Sequence, residues 1–244
     1  MGKLIVRTQR AKGAFEAADL CMLLEHSLLL LEVTEEAGEL ADSYIRSGDE
    51  SLISEVTSAT RASIWPHLRF LRALRRLNYS TEVRGFLPND LAEADYELGL
   101  RVARLSMRYR VTGRLEVSEW LDVLDAYSER MAGQEIADCI REAMREKTGL
   151  LVTSPLRYFT LLRNMRFDAI CFAGFPAAHV PLVSMARLYR MGKLTVAELE
   201  LLVSEHSKFL DVLMTSIDLD EAVERWTVRK LGRWAEGNRE LLTQ

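Results

Sequence analysis

Two stretches of this chain, 88 residues apart, spell nearly the same amphipathic segment. Leu68-Arg69-Phe70-Leu71-Arg72-Ala73-Leu74-Arg75-Arg76-Leu77-Asn78-Tyr79 matches Leu156-Arg157-Tyr158-Phe159-Thr160-Leu161-Leu162-Arg163-Asn164-Met165-Arg166-Phe167. Leucines, arginines and aromatic residues recur in the same order. Each stretch then reaches Gly-Phe and a proline, at Gly85, Phe86 and Pro88 and at Gly174, Phe175 and Pro176. Ser106-Met107 and Tyr109-Arg110 follow in one, Ser184-Met185 and Tyr189-Arg190 in the other. Gly113-Arg114-Leu115-Glu116 finally answers Gly192-Lys193-Leu194-Thr195, by which point the offset is 79. Four blocks in one order predict an internal duplication. The division is an acidic helical segment over 1–65, a first copy over 66–150 and a second over 151–244. Gly113 and Gly192 are expected to end helices in the left-handed conformation. Thr195 is expected to cap the next helix, with Glu198 as its capping-box partner.

Helical periodicity dominates the rest. One long helix is expected over 17–44, where Leu20, Leu23, Leu24, Leu28 and Leu31 recur at three and four. Others are expected over 51–63, 68–77, 91–110, 117–147, 155–167, 181–191, 196–215 and 220–238. Trp65-Pro66 breaks the run between the second and third. Only 4–7 and 81–86 read as strands. The predicted fold is all-α, a helical protein built from a duplicated multi-helix unit.

With 48% apolar and 28% charged residues the chain is not disordered. The net charge of −4 hides blocks that follow the repeat. Residues 66–114 hold ten basic and five acidic side chains, and residues 151–195 hold six and one. The flanking segments are acidic. Cys21, Cys139 and Cys171 are well separated, which fits a reducing compartment better than a disulfide framework. The first dozen residues carry no apolar core of a secretory signal, and no run approaches the roughly 20 residues that span a bilayer. The expected location is the cytoplasm or the inside of a virion or nucleoprotein particle.

Arginine outnumbers lysine by 26 to 6. Its planar fork suits phosphate and carboxylate. Arg69, Arg72 and Arg76 share a helix face, and Arg69, Arg75 and Arg110 have counterparts in Arg157, Arg163 and Arg190. These residues, with Arg166, are the candidate nucleic-acid contacts, since phosphate binding needs positive charge at intervals. Phe70, Tyr79, Tyr158 and Phe167 are candidates to stack on bases. The same pattern also suits arginines that pair with acidic helices of this chain or of a neighbour, with the aromatics in the core. An arginine-rich chain with short loops further suits the ion-pair networks of a thermophile.

Glu32, Glu35, Glu36, Glu39 and Asp42 form an acidic cluster, and Glu55 follows. Glu35-Glu36-Ala37-Gly38-Glu39-Leu40-Ala41 resembles the first metal motif of MazG-like nucleotide pyrophosphohydrolases. The resemblance covers about 25 residues and implies Mg²⁺ ligands at Glu36, Glu39 and Glu55; Ser58 stands where that family has an aspartate. A solvated acidic helix face is the plainer reading. His26, His67, His179 and His206 are scattered and make no zinc spacing. No phosphate loop or nucleophile motif is present, and no cofactor is expected. Trp226 and Trp234 share a helix face and are expected to seal the core or mark a docking surface. The leading expectation is a non-enzymatic helical protein that assembles along nucleic acid, as a viral nucleocapsid or nucleoprotein subunit does. The alternatives are a self-assembling or partner-binding scaffold without nucleic acid, and a divergent MazG-like hydrolase.

Overall fold

The structure, a computed structural model, describes residues 2–54, 64–129, 134–175 and 180–237. It overturns the all-α expectation. Five parallel strands form one sheet in the order β3-β2-β4-β1-β5. They are β1 (Gly2–Arg7), β2 (Leu28–Thr34), β3 (Glu82–Leu87), β4 (Gly149–Thr153) and β5 (Phe167–Ala173). The helices are α1 (Ala11–Leu23), α2 (Glu35–Ser47), the single turn α3 (Ser51–Ser54), α4 (Leu68–Arg76) and α5 (Asn89–Thr112). They continue with α6 (Val117–Glu129), α7 (Gln134–Ala143), α8 (Pro155–Asn164), α9 (Pro181–Arg190), α10 (Val196–Met214) and α11 (Leu219–Gly237). The expected helix over 17–44 is therefore α1, β2 and α2 in succession. The expected strands at 4–7 and 81–86 are β1 and β3.

The reason lies in the Leu28-Leu29-Leu30-Leu31 run. A strand buried on both faces reads as a continuous apolar stretch. Leu29, Leu31 and Val33 meet Ile5, Leu150 and Val152 on one face, under α1, α2 and α4. Leu28 and Leu30 meet Leu4, Val6 and Leu151 on the other, under α7, α8 and the start of α5. Beyond the sheet, α5, α6, α9 and α10 close a bundle around Leu98, Leu105, Trp120, Met185 and Val203. The stretches that match in sequence lie on elements in the same order, α4-β3-α5-α6 and α8-β5-α9-α10. Their strands are the two opposite edges of the sheet, and residues 1–65, 66–150 and 151–244 all supply strands to it.

The local expectations hold. Gly113 (φ 68°) and Gly192 (φ 63°) end α5 and α9's turn in the left-handed region. Thr195 and Glu198 form the capping box of α10. Gly85 and Gly174, which match in sequence, serve different ends. A Cβ at Gly85 would lie 1.9 Å from the Thr34 carbonyl oxygen, and one at Gly38 would lie 2.0 Å from Gly85 N. These two glycines let α2 lie flat on β3. Gly174 instead needs its φ of 79°.

The edges of the sheet differ in kind. On β3, Glu82 pairs with Arg84 and Lys147, and the Val83 amide donates to Asp42 Oδ1 at 2.9 Å. On β5, Ile170 and Phe172 are exposed.

Gly85→Ala is expected to lower stability by about 1–3 kcal/mol, because backbone must move on both sides of the new methyl. Gly99→Ala, on the open side of α5 with nothing within 4 Å of its Cβ, is expected to raise it by about 0.5–1 kcal/mol. Chemical denaturation of both variants checks this.

Candidate functional site

Ligands of open parallel sheets bind at the carboxyl ends of the strands, where the strand order reverses. Here the reversal falls between β1 and β4. The chain leaves β1 for α1 on one face and leaves β4 for α8 on the other. Most of the buried polar residues among those described gather at this end: Arg7, Thr8, Arg10, Thr34, His67, Thr153, Arg157 and Asp220.

Two groups can be distinguished. On the α8 side, Glu32 at the end of β2 accepts from Arg157 Nε at 2.6 Å, Thr153 Oγ1 at 2.8 Å and Ser154 N at 2.9 Å. Arg157 Nη2 also reaches Asp95 Oδ2 on α5 at 3.4 Å. Burial alone would raise the Glu32 carboxyl, but the Arg157 charge and these hydrogen bonds outweigh it and hold it below its usual range. On the α1 side, Arg7 donates to the Pro66 carbonyl at 2.6 Å and pairs with Asp220 on α11 at 3.3 Å. Arg10 grips Glu224 of the same helix with Nε at 2.7 Å and Nη2 at 2.5 Å, and its Nη1 donates to the Gly174 carbonyl.

Burial pushes Asp220 up to about 6, with Arg7 pulling against it. Burial, reinforced by the Arg7 charge, pushes His67 down to about 3, so this imidazole is neutral at pH 7. His67 Nδ1 and Arg157 Nη1 are buried with no hydrogen-bond partner among the described residues.

The candidate nucleic-acid arginines do not converge. Arg69 is bound to Asp218 at 2.7 Å and Arg157 lies in the buried cluster. Arg72 pairs with Glu50 and Arg110 with Asp211 on the surface. Arg75 donates to the Tyr44 carbonyl and sits over its ring. Arg76, Arg163, Arg166 and Arg190 are exposed. Five of the nine, Arg75, Arg76, Arg110, Arg163 and Arg190, occupy the last turns of helices. Positive charge is favourable there against the negative end of the helix dipole. Phe70 and Tyr79 are buried, and Tyr158 and Phe167 pack against the core.

Glu36 and Glu39 project from the exposed side of α2, and Glu55 lies outside the described residues. Among the described residues no three acidic, histidine or cysteine side chains are placed to hold a metal ion. Glu32, expected beside them on one helix, is on β2 and faces Arg157. His26 bonds the Leu24 carbonyl and Tyr79 Oη; His206 is buried against Trp120; His179 lies outside the described residues. Trp226 is buried against Phe209 in the core, and the side chain of Trp234 lies outside the described residues. No helix among the described residues is long and apolar enough to cross a membrane. The chain matches no family model, no curated protein and no solved structure.

The sequence reading missed Arg7, Arg10, Asp220 and Glu224. For Arg7 and Arg10 the signal was the switch from the apolar β1 to Arg7-Thr8-Gln9-Arg10, which places polar residues at the end of a strand; Asp220 and Glu224 carried no local signal.

Glu32→Ala leaves the buried Arg157 guanidinium with only its longer pairing to Asp95, and is expected to cost about 3–5 kcal/mol. Glu32→Ala combined with Arg157→Ala is expected to cost less than the two single changes added together, as a double-mutant cycle by urea unfolding measures. Asp220 has a folded value above its ordinary 3.8. The folded protein therefore keeps a proton that the unfolded chain releases between about pH 4 and 6, and the stability this group contributes falls as pH rises through that window. The Tm of the wild type, relative to that of Asp220→Asn, is expected to fall from pH 4 to 6 and to level off above it.

Proposed function

We propose that this chain is a non-enzymatic assembly protein, an α/β body that joins copies of itself or a protein partner. The observation that carries this reading is the carboxyl end of the sheet. Where parallel sheets admit ligands, this chain places Arg7–Asp220, Arg10–Glu224 and Glu32–Arg157 against one another. A phosphate or carboxylate arriving there would compete with these carboxylates for the arginines, and displacing Glu32 or Asp220 would leave a buried carboxylate without its arginine. The arginines support the same reading. Those that recur along the sequence are paired within the chain or placed at helix C-termini, so their recurrence has a cause that needs no polyanion.

Light scattering is expected to give a solution mass above the 27.8 kDa of one chain. Nucleoside triphosphates with Mg²⁺ are expected to leave the Tm unchanged; a rise in Tm, or phosphate release, would overturn the non-enzymatic reading. A low-salt shift assay with single- and double-stranded DNA and RNA is the second arm. Salt-sensitive binding that is lost in a variant combining Arg76→Ala, Arg163→Ala and Arg166→Ala would restore the nucleic-acid reading in its place.

A further inference from the structure

The proposed assembly function leaves open which surface makes the joint, and the two sheet edges are not equivalent. On β3 the edge is guarded. Glu82 and Arg84 line it and Asp42 takes the Val83 amide. Charged side chains and blocked amides are how edge strands avoid pairing with other chains. On β5 the opposite holds. Phe167-Asp168-Ala169-Ile170-Cys171-Phe172-Ala173 carries one charge in seven residues.

The direction of its backbone groups can be worked out. The Ala173 carbonyl accepts from Thr8 N, on the β1 side. N–H and C=O of one residue point to the same side of a strand, and successive residues alternate. Ala173 and Cys171 therefore turn their backbone groups towards β1, while Phe172 and Ile170 turn theirs outward. The next outward amide, Gly174 N, is already held by Glu16 Oε2 at 2.6 Å. By the same alternation Asp168 also turns outward, so the described edge turns out the backbone groups of Asp168, Ile170 and Phe172, and ends at Gly174.

We propose that β5 pairs antiparallel with β5 of a second copy, about a two-fold axis at Cys171, joining two sheets into one of ten strands; this rests on the assembly reading above. This register places Ile170 opposite the partner's Phe172 and Phe172 opposite the partner's Ile170. Each such pair exchanges both N–H···O bonds, so the outward groups of Ile170 and Phe172 are all used on both strands. The side chains agree with the backbone. Ile170 (37% exposed) and Phe172 (53%) meet across the axis as apolar–aromatic neighbours, a favourable cross-strand pair. Asp168 falls opposite Gly174 of the other copy, so the only charge on the strand never faces its own image. Phe175, next along the chain and packed edge-on to Phe172, is also exposed, as are Leu162 on α8 and Phe15 and Met22 on α1, the helix that packs on β5. A register centred on Ile170 would also pair outward backbone groups, but it would set the Asp168 carboxylate against the partner's Phe172 ring and lose the apolar–aromatic pairs.

The axis makes a sharp test. In an antiparallel ladder the self-paired Cys171 residues form a non-hydrogen-bonded pair, with Cα atoms about 4.5 Å apart, within disulfide reach. Full-length wild type, treated briefly with diamide and run without reductant, is expected to give a dimer band. Cys171→Ser is expected to abolish the band, while Cys21→Ser and Cys139→Ser keep it. Light scattering is expected to give twice 27.8 kDa for the wild type and one chain for Phe172→Lys, with circular dichroism confirming that the variant stays folded. A dimer that survives Phe172→Lys and does not crosslink through Cys171 overturns the β5 joint and leaves the assembly reading standing. A monomer at every concentration overturns the β5 joint and the self-assembly half of the reading above, and leaves only joining to a different protein.

Discussion

Three of the five strands, β2, β4 and β1, must be kept dry on both faces. Leu28 to Leu31, Leu150 to Val152 and Leu4 to Val6 are all fully buried. Each such side chain contributes about 1.5–3 kcal/mol relative to exposure. A parallel sheet can satisfy that demand only if its crossovers lay helices on each face. This requires the chain to change direction along the sheet, and the change falls between β1 and β4. The polar cluster is a consequence, because strands that turn to opposite faces leave their last residues in a crevice between helices. Something hydrophilic must fill it.

In this protein the filling is covalently part of the chain. Glu32 and Arg157 join β2 to α8 and, through Asp95, to the helical bundle. Arg7 and Arg10 bind α11 to the end of β1. The bundle and the C-terminal helix are thereby fixed to the sheet by charge, while apolar packing holds each layer separately. An exposed pair such as Arg72–Glu50 is worth about 0–1 kcal/mol. The buried ones specify how the layers meet, since separating them strands a charge. The recurrence of arginine along the sequence thus divides into two physical roles, a few buried clasps and a larger set at helix ends.

Features of short range were legible in the sequence. The left-handed glycines at 113 and 192 and the capping box at Thr195 depend only on neighbouring residues, whereas Trp65-Pro66, expected to break the helical run, lies in a 3-10 turn over Trp65–His67 that leads directly into α4. Strands β1 and β3 were readable because each is short and bounded by polar residues. The strand β2 was not, because four consecutive leucines satisfy a helical period as well as they do a doubly buried strand, and Glu32 falls where a helix would place a polar residue. β4 has five residues between helical stretches and offers no alternation to detect. The candidate site was largely illegible for a different reason. Arg7 and Asp220 are 213 residues apart and Glu32 and Arg157 are 125 apart. No local pattern announces such partners. The alternative in which arginines meet carboxylates of the same chain was available from the charge blocks, without the pairing. The acidic cluster around Glu36 owed its small residues to packing: Gly38 is required by the close approach of β3.

The hydrogen bond from Val83 to Asp42 has a consequence for the size of anything built from this body. A sheet with two open edges has a valence of two and can grow without limit, as fibres do. One carboxylate on α2, supported by the Glu82 and Arg84 pair, removes one of those valences. What remains along the sheet direction is a molecule with a single open end. Two such molecules meeting at their open ends produce a closed, symmetric object with guarded edges on both sides. Higher concentration then makes more of that object and not a longer one.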